Sequence, residues 1–187
     1  HLDLPLDNAA IERILPHRYP FLLVDKITEF EEDRRIVGIK NVSLNERYLS
    51  HRPGEPPALP PTILTEAVAQ VGAILILAKP ENREKLIYFL GIERLRFLNP
   101  VHPGDVVVIE ATVERLRSRM GKLKGFARDY CQRAFQAVGQ IACAGAGALQ
   151  HVAHANKQPI KLIDQRLDFL WKRAFEIASA ARAHMAQ

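Results

Sequence analysis

The sequence has few cysteines and no long apolar run, and both absences exclude broad classes of protein. Its 187 residues include two cysteines, Cys131 and Cys143, which are too few for a disulfide-stabilised scaffold and lack the spacing of a metal site. No stretch approaches the ~18 consecutive apolar residues that a membrane-spanning helix needs. The opening residues 1–4 lack the basic and apolar regions of a signal peptide. We therefore expect a cytoplasmic protein without membrane insertion, whose cysteines are small residues within strands.

Motifs for a metal, a nucleotide or a nucleic acid are also missing. His151 and His154 have helical spacing but no visible third ligand, and residues 145–147 are too short a glycine-containing stretch for a phosphate-binding loop. We therefore expect no metal and no cofactor. The formal net charge is +5, but no nucleic-acid-binding motif accompanies it, so we expect no nucleic-acid partner. Several basic residues alternate along a predicted hairpin, and the simplest interpretation is that they form a solvated face. They are Arg115, Arg117, Arg119, Lys122 and Lys124.

What the sequence does contain is the pattern of an α+β domain built around one apolar helix. That helix runs from about Thr62 to before Pro80 and is apolar nearly all round, which predicts burial. Asp7 is placed to cap a short helix that ends at Leu15. The predicted strands cover residues 22–27, 36–39, 86–98, 106–117, 123–135 and 137–152, with Gly91, Gly121 and Gly139 as bulge or turn positions.

A second amphipathic helix follows the predicted sheet. Apolar residues recur at intervals of three and four from Ile160 to Ala181. We therefore divide the chain into a domain at residues 1–152 and a helical extension at residues 153–187. The extension is expected to pack on the sheet or on a neighbouring subunit.

His51 and Glu66 are the residues best suited to acid and base chemistry. His51 lies in a proline-rich turn, and a neutral imidazole can accept a proton near pH 7. Glu66 interrupts the apolar helix, where a carboxyl group must be partnered, neutral or functional. A lone histidine in a loop is more often a solvated turn residue, so it is the pair that favours an acid/base site.

A series of short motifs surrounds this pair, over about residues 11 to 149. They are Leu15-Pro16-His17-Arg18-Tyr19-Pro20-Phe21-Leu22-Leu23-Val24-Asp25, Lys40-Asn41-Val42, Asn45-Glu46, His51-x-Pro53-Gly54, Glu66-Ala67-x-Ala69-Gln70, Tyr88-Phe89-x-Gly91-Ile92, Arg96-Phe97 and Pro100-Val101-x-Pro103-Gly104-Asp105. In order and content the series resembles the 3-hydroxyacyl-[acyl carrier protein] dehydratases of bacterial fatty acid biosynthesis.

The resemblance implies a hotdog fold, in which an antiparallel sheet wraps a long central helix and two subunits pair edge to edge. It implies a homodimer, with a trimer of dimers as an option, that removes water from a (3R)-3-hydroxyacyl thioester to give the trans-2-enoyl thioester. The substrate would be carried on the phosphopantetheine of an acyl carrier protein. Arg94, Arg96 or the basic hairpin are candidates to steer that acidic carrier.

The resemblance also implies roles for individual residues. His51 of one subunit would take the C2 proton, and Glu66 of the other would protonate the departing 3-hydroxyl group. The implied substrate-binding residues are Gly54, Thr62, Gly91 and Gln70. Backbone N–H groups near Gly54 and the helix start would polarise the thioester carbonyl.

The spacing around the histidine departs from the family pattern. Ser50 replaces the family's glycine, and the 15 positions from His51 to Glu66 are one more than usual. The step from Asn45 to His51 is one shorter, so an ungapped alignment would place Arg52 at the base position. Because arginine does not deprotonate in proteins, we assign the base to His51, which matches the His-x-Pro-Gly motif locally.

Pro61 is the third departure. The family has a glycine here whose N–H would serve the oxyanion hole, and proline has no N–H. Pro61 is either a favourable first residue of the helix or the sign of an altered oxyanion hole. The departures leave two alternatives to the dehydratase: a catalytically silent hotdog subunit that binds acyl chains or supports a partner, and a hotdog thioesterase.

Overall fold

The computed structural model describes residues 2–117 and 120–129 in full, and the backbone of residues 133–144. The elements in chain order are α1 (Asn8–Ile14), β1 (Lys26–Glu31), β2 (Arg35–Asn41), α2 (Pro61–Leu77), a short 3₁₀ helix (Pro80–Asn82), β3 (Leu86–Phe97), β4 (Val106–Arg117), β5 (Met120–Arg128) and β6 (Arg133–Ala144). The predicted extension at residues 153–187, and its boundary with the domain at residues 1–152, lie outside the described residues.

The six strands form one antiparallel sheet in the order β1, β2, β4, β5, β6, β3. The strands β1 and β3 therefore lie at the two edges of this sheet. Helix α2 contacts β2, β4 and β5 in the middle of the sheet. An antiparallel sheet packed around one long helix confirms the α+β hotdog fold predicted from the sequence.

Helix α2 lies unusually close to the sheet at two glycines. A Cβ atom on Gly125 of β5 would lie 2.4 Å from the side chain of Val68, and one on Gly38 of β2 would lie 2.8 Å from Val71. Neither position has room for a larger residue unless the facing valine shifts. The close packing surrounds α2 with apolar side chains, and this is the environment into which Glu66 projects.

Both predicted helices are confirmed in the described part of the chain. Asp7 caps α1 through a hydrogen bond from the Ala10 N–H to Asp7 Oδ1 at 2.8 Å. Helix α2 begins with Pro61 as its first residue, where a proline costs no intrahelical hydrogen bond. It ends at Leu77, before Pro80, as the sequence predicts.

Several predicted strand bounds differ from the structure, and two predictions are wrong in kind. Residues 22–24 precede β1 and lie outside any strand, because the Leu23 N–H donates to the side chain of Gln70 and not to a neighbouring strand. Residues 123–135 do not form one strand, because Arg128 of β5 pairs with Arg133 of β6 and the chain reverses between them. That reversal contains neither glycine nor proline, so the usual turn signal was missing.

Of the three glycines predicted at bulges or turns, Gly91 and Gly139 lie beside irregularities in the pairing of β3 with β6. The pairing of β3 with β6 shifts register between Phe89 and Gly91. Gly139 pairs with Ile92, where a second register shift begins, whereas Gly121 pairs regularly with Leu116, so the prediction is wrong for Gly121.

Candidate active site

Glu66 lies one turn inside the N-terminal end of α2 and is 8% exposed. Its carboxyl group is buried because the helix is packed on several sides by apolar side chains. Burial raises the pKa of Glu66 to about 7, and a hydrogen bond from Gln70 lowers it only in part. Near neutral pH this group can therefore hold a proton and release it, as a general acid must.

Gln70 fixes the orientation of the Glu66 carboxyl group. One turn further along α2, it is 1% exposed, and its Nε2 donates to Glu66 Oε1 at 3.0 Å. The same Nε2 donates to the carbonyl of Phe21 at 2.8 Å, and Gln70 Oε1 accepts from the Leu23 N–H at 2.9 Å. Because its oxygen already faces a donor, the amide can present only N–H to Glu66. Three contacts thus hold one rotamer and one amide orientation.

His17 is the other polar neighbour of Glu66. Its Nε2 lies 3.7 Å from Glu66 Oε1, which is too long for a hydrogen bond. Burial, aided by the charge of Arg18, lowers the pKa of His17 to about 4, so the ring is neutral at physiological pH. Sequence reasoning missed this neighbour, although His17 belongs to a recognised motif, because 49 positions separate it from Glu66.

His51 lies elsewhere, on an exposed loop. An antiparallel bridge closes that loop through the Ser50 N–H to the Ala58 carbonyl at 2.9 Å and the reciprocal bond at 3.2 Å. The Glu55 N–H donates to the Arg52 carbonyl across Pro53 and Gly54, and Gly54 has a φ of +80°. A proline followed by a glycine with positive φ is typical of a type II turn.

Ser50 fits this loop without strain. Its backbone is not in the left-handed region, so the family's glycine is not needed for conformation. Its Oγ donates to the Ala58 carbonyl at 3.0 Å and reinforces the bridge. The serine therefore stabilises the closed end of the loop that contains His51.

Within one chain, the predicted acid and base are not brought together. No ion pair or hydrogen bond joins His51 to Glu66 among the described residues. His51 is exposed, whereas Glu66 is buried beside His17 and Gln70. A shared site would therefore need His51 from another copy of the chain.

The predicted substrate-binding residues occupy three different segments. Gln70 contacts Glu66 directly, and Thr62 is the second residue of α2, half-buried one turn before Glu66. Gly54 lies in the turn that follows His51. Gly91 lies at the bulge of the edge strand β3, where an added Cβ would meet nothing within 4 Å. Pro61 is exposed at the start of α2, beside Thr62.

Part of the basic hairpin is already paired. Lys122 lies 2.5 Å from Glu93 and 3.6 Å from Glu114, and Lys124 lies over the ring of Phe126. Arg94 and Arg96 are exposed on β3. Arg119, Cys131, His151 and His154 lie outside the described residues.

The described residues show neither a metal-binding cluster nor a membrane-spanning helix. No three His, Cys, Asp or Glu side chains among them come together as metal ligands would. In the same residues, no helix combines the length and the hydropathy that crossing a bilayer requires.

The fold and the buried carboxyl group on its central helix define a hotdog-fold protein with a candidate acid/base site. A protein-family model described as a FabA-like domain matches residues 15–130. The 3-hydroxyacyl-[acyl-carrier-protein] dehydratase FabZ of Geobacillus thermodenitrificans is 49% identical over 122 residues, which are 65% of this chain and 84% of that protein. The dehydratase FabZ of Bacillus velezensis is 47% identical over 123 residues, 66% of this chain and 87% of that protein.

A solved structure shares the fold. The dehydratase heterocomplex ApeI:P of Xenorhabdus doucetiae matches with a TM-score of 0.65 and 19% identity, over 79% of this chain and 97% of that one. This chain therefore belongs to the FabA-like family of hotdog dehydratases.

Proposed function

We propose that this chain catalyses the reversible dehydration of (3R)-3-hydroxyacyl thioesters, carried on an acyl carrier protein, to trans-2-enoyl thioesters in fatty acid biosynthesis. The observation that carries the proposal is the buried carboxyl group of Glu66, which keeps its proton up to a pH of about 7. The FabZ relatives are named as dehydratases of this substrate class and match most of their own length. We place the reaction in the cytoplasm.

The reaction divides into two proton transfers. The His51 imidazole takes the C2 proton, and the electrons of the C2–H bond form the C2=C3 double bond. The C3–O bond breaks as Glu66 gives its proton to the 3-hydroxyl group, which leaves as water. The thioester stays intact, and His51 and Glu66 end as imidazolium and carboxylate until a proton passes back.

Polarisation of the thioester carbonyl is assigned to backbone N–H groups near Gly54 and at the start of α2. Pro61 lacks an N–H, so the helix start gives the oxyanion hole one donor fewer than the family pattern, and Thr62 is the next residue with an N–H there. Gln70 orients Glu66, and Gly91 leaves room beside the acyl thioester. We propose that no metal or other cofactor takes part, since the phosphopantetheine belongs to the carrier.

We further propose that the active form is a homodimer, with assembly into a trimer of dimers as an option. The edge strand β3 supports this, because it has twelve residues and pairs with β6 on one side only among the described strands. A long edge strand is a ready template for pairing with another chain. Sedimentation equilibrium should give at least twice the chain mass of 21.1 kDa, and a monomer that turns over substrate would exclude a shared site.

The acyl carrier protein is the proposed partner. Arg94 and Arg96 are exposed on the same edge strand and carry the charge that an acidic carrier needs for steering. Charge reversal at Arg94 should raise KM for carrier-bound substrate and leave KM for a short pantetheine thioester unchanged. Equal effects on both substrates would remove Arg94 from the carrier surface.

A direct assay tests the activity. Purified protein is incubated separately with 3-hydroxyacyl and trans-2-enoyl carrier-protein thioesters, and the products are separated by mass. Interconversion supports the dehydratase, and free acid would indicate a thioesterase. An unchanged thioester would indicate a silent subunit, an alternative that the missing N–H at Pro61 favours. Glu66→Gln and His51→Ala should abolish interconversion, whereas Glu55→Gln, which changes an exposed carboxylate near His51, should not.

A further inference from the structure

His17 is a buried titratable side chain that the proposed proton transfers do not use. Its Nε2 faces Glu66 Oε1 at 3.7 Å, and its Nδ1 is buried without a hydrogen-bond partner. The ring packs against Phe21, with centroids 6.1 Å apart, and Phe21 meets Tyr48 edge to face. The proposed proton transfers therefore do not explain why an aromatic cluster holds a neutral histidine against the acid.

The two ring nitrogens decide which tautomer this environment favours. Nδ1 has no acceptor nearby, so a proton there would be an unsatisfied buried donor. A buried N–H without a partner is rarer in proteins than an acceptor without a donor. The proton of the neutral ring therefore belongs on Nε2, where it points at the carboxyl group of Glu66.

We propose that His17 is a positioning residue for the acid: its Nε2–H closes on Glu66 Oε1 as that group gives up its proton, and so holds the carboxylate formed by dehydration. The inference rests on the proposed function for its role in the reaction. The contact is too long to engage the neutral acid, and an approach of about 0.7 Å would make it a charge-assisted hydrogen bond.

Gln70 links both partners of this contact. Its Nε2 donates to Glu66 Oε1 and to the carbonyl of Phe21, the residue whose ring supports His17. The segment is also tied to itself, because Arg18 donates to the carbonyls of Leu15 and His17 at 2.8 Å and 2.7 Å. The donor is thus held near its closing position without yet reaching it.

In the part of the chain that the structure describes, no further charged group contacts Glu66. The one other buried charged residue in the described part of the chain is Lys40 of β2, which is paired with Glu46. Tyr48 is neutral, since burial raises its pKa, and the Arg18 guanidinium is occupied by backbone carbonyls. The pH response of Glu66 therefore depends on burial, Gln70 and His17.

The test measures the Glu66 carboxyl in the intact oligomer. Its side-chain ¹³C resonance, identified by its loss in Glu66→Gln, is followed with pH in the wild type and in His17→Phe, His17→Gln and Phe21→Leu. Removing the donor in His17→Phe should raise the midpoint by about one pH unit. His17→Gln keeps an N–H and should stay near wild type, whereas Phe21→Leu, which removes the ring that supports His17, should raise the midpoint by less than His17→Phe does.

The pH dependence of kcat for dehydration is measured in the same variants. The alkaline limb of the kcat profile for dehydration, where Glu66 loses its proton, should move upward with the resonance in His17→Phe. A midpoint that does not rise in His17→Phe, or that rises equally in His17→Gln, would overturn the proposal. The resonance does not depend on turnover. A protein that dehydrates no substrate would therefore refute the proposed function, and the resonance would still test the contact between His17 and Glu66.

A measurement on the wild type covers the case in which the variants fail to fold. The ¹⁵N shifts of the His17 ring at pH 6 and pH 9 report which nitrogen carries the proton. A proton on Nε2 with a bare Nδ1 at both values supports the proposal. A proton on Nδ1 contradicts it, because Nε2 could then only accept.

Discussion

Lys40 Nζ donates to Glu46 Oε2 across 2.7 Å, and the two side chains are 5% and 13% exposed. The pair ties the end of β2 to the loop that leads to His51. Nearby, the Val42 N–H donates to the Asp105 carbonyl, and the Leu59 N–H donates to the Val101 carbonyl at the far end of the same loop. The exposed base is thus carried on a loop anchored at both ends.

Breaking that pair should be costly. Glu46→Ala leaves a buried ammonium without a partner and should lower the free energy of unfolding by roughly 3 kcal/mol. Urea unfolding at one fixed protein concentration measures the change. Glu55→Ala is the matched control, since it removes an exposed partner of Arg52 on the same loop, and should leave stability unchanged. Equal effects of the two substitutions would contradict the assignment.

The stability of the protein should depend on pH through Glu66. Its pKa is raised from 4.5 to about 7, so the folded state binds the proton more tightly than the unfolded state. The stability contributed by the protonated group is complete below pH 4.5 and is lost as the pH rises through 7. The unfolding free energy of Glu66→Gln minus that of the wild type should therefore increase by roughly 3 kcal/mol from pH 4.5 to pH 7. A constant difference would show that Glu66 is ionised in the folded protein.

His17 should act in the opposite direction. Its pKa is lowered from 6.5 to about 4, so the folded state excludes a proton that the unfolded state binds. The stability contributed by the neutral ring is present above pH 6.5 and is lost as the pH falls through 4. The stability of His17→Phe relative to wild type should therefore rise on acidification, as measured by thermal unfolding. If this relative stability were the same at pH 4 and pH 7, the ring would be solvated.

The proline at the start of α2 should limit the rate. Losing one oxyanion donor typically costs ~10²–10³-fold in turnover, so Pro61→Gly should speed dehydration by at least about tenfold once loosening of the helix start is allowed for. The measurement is kcat with a carrier-bound substrate, together with a check that the variant is folded. A variant no faster than an already efficient wild type would mean that the Thr62 N–H or another donor supplies the contact.

Much of the fold is predictable because its signals are local. The apolar run that forms α2 lies between prolines, and the predicted bounds of β4, residues 106–117, enclose a segment that opens with four β-branched residues. The junction of β5 and β6 is not predictable in this way. Arg128 and Arg133 mark a reversal without glycine or proline, which is visible only in the antiparallel pairing of β5 with β6.

The residues of the candidate site also divide into those that local sequence signals identify and those that require the fold. A carboxyl group in an apolar helix identifies Glu66 from local pattern, and Gln70 follows one turn later on the same face. His17 required the fold, since nothing local places it against a residue 49 positions away. The pairing of His51 with Glu66 remains a prediction, because it depends on a second copy of the chain.

The central claim is that acid and base come from different subunits, and complementation tests it most directly. His51→Ala and Glu66→Gln proteins, each inactive alone, are mixed under conditions of demonstrated subunit exchange. Random pairing makes half of the dimers mixed, each with one intact site, so dehydration should return to about a quarter of the wild-type rate. No recovery despite exchange, with an active wild type, would contradict a site shared between His51 and Glu66.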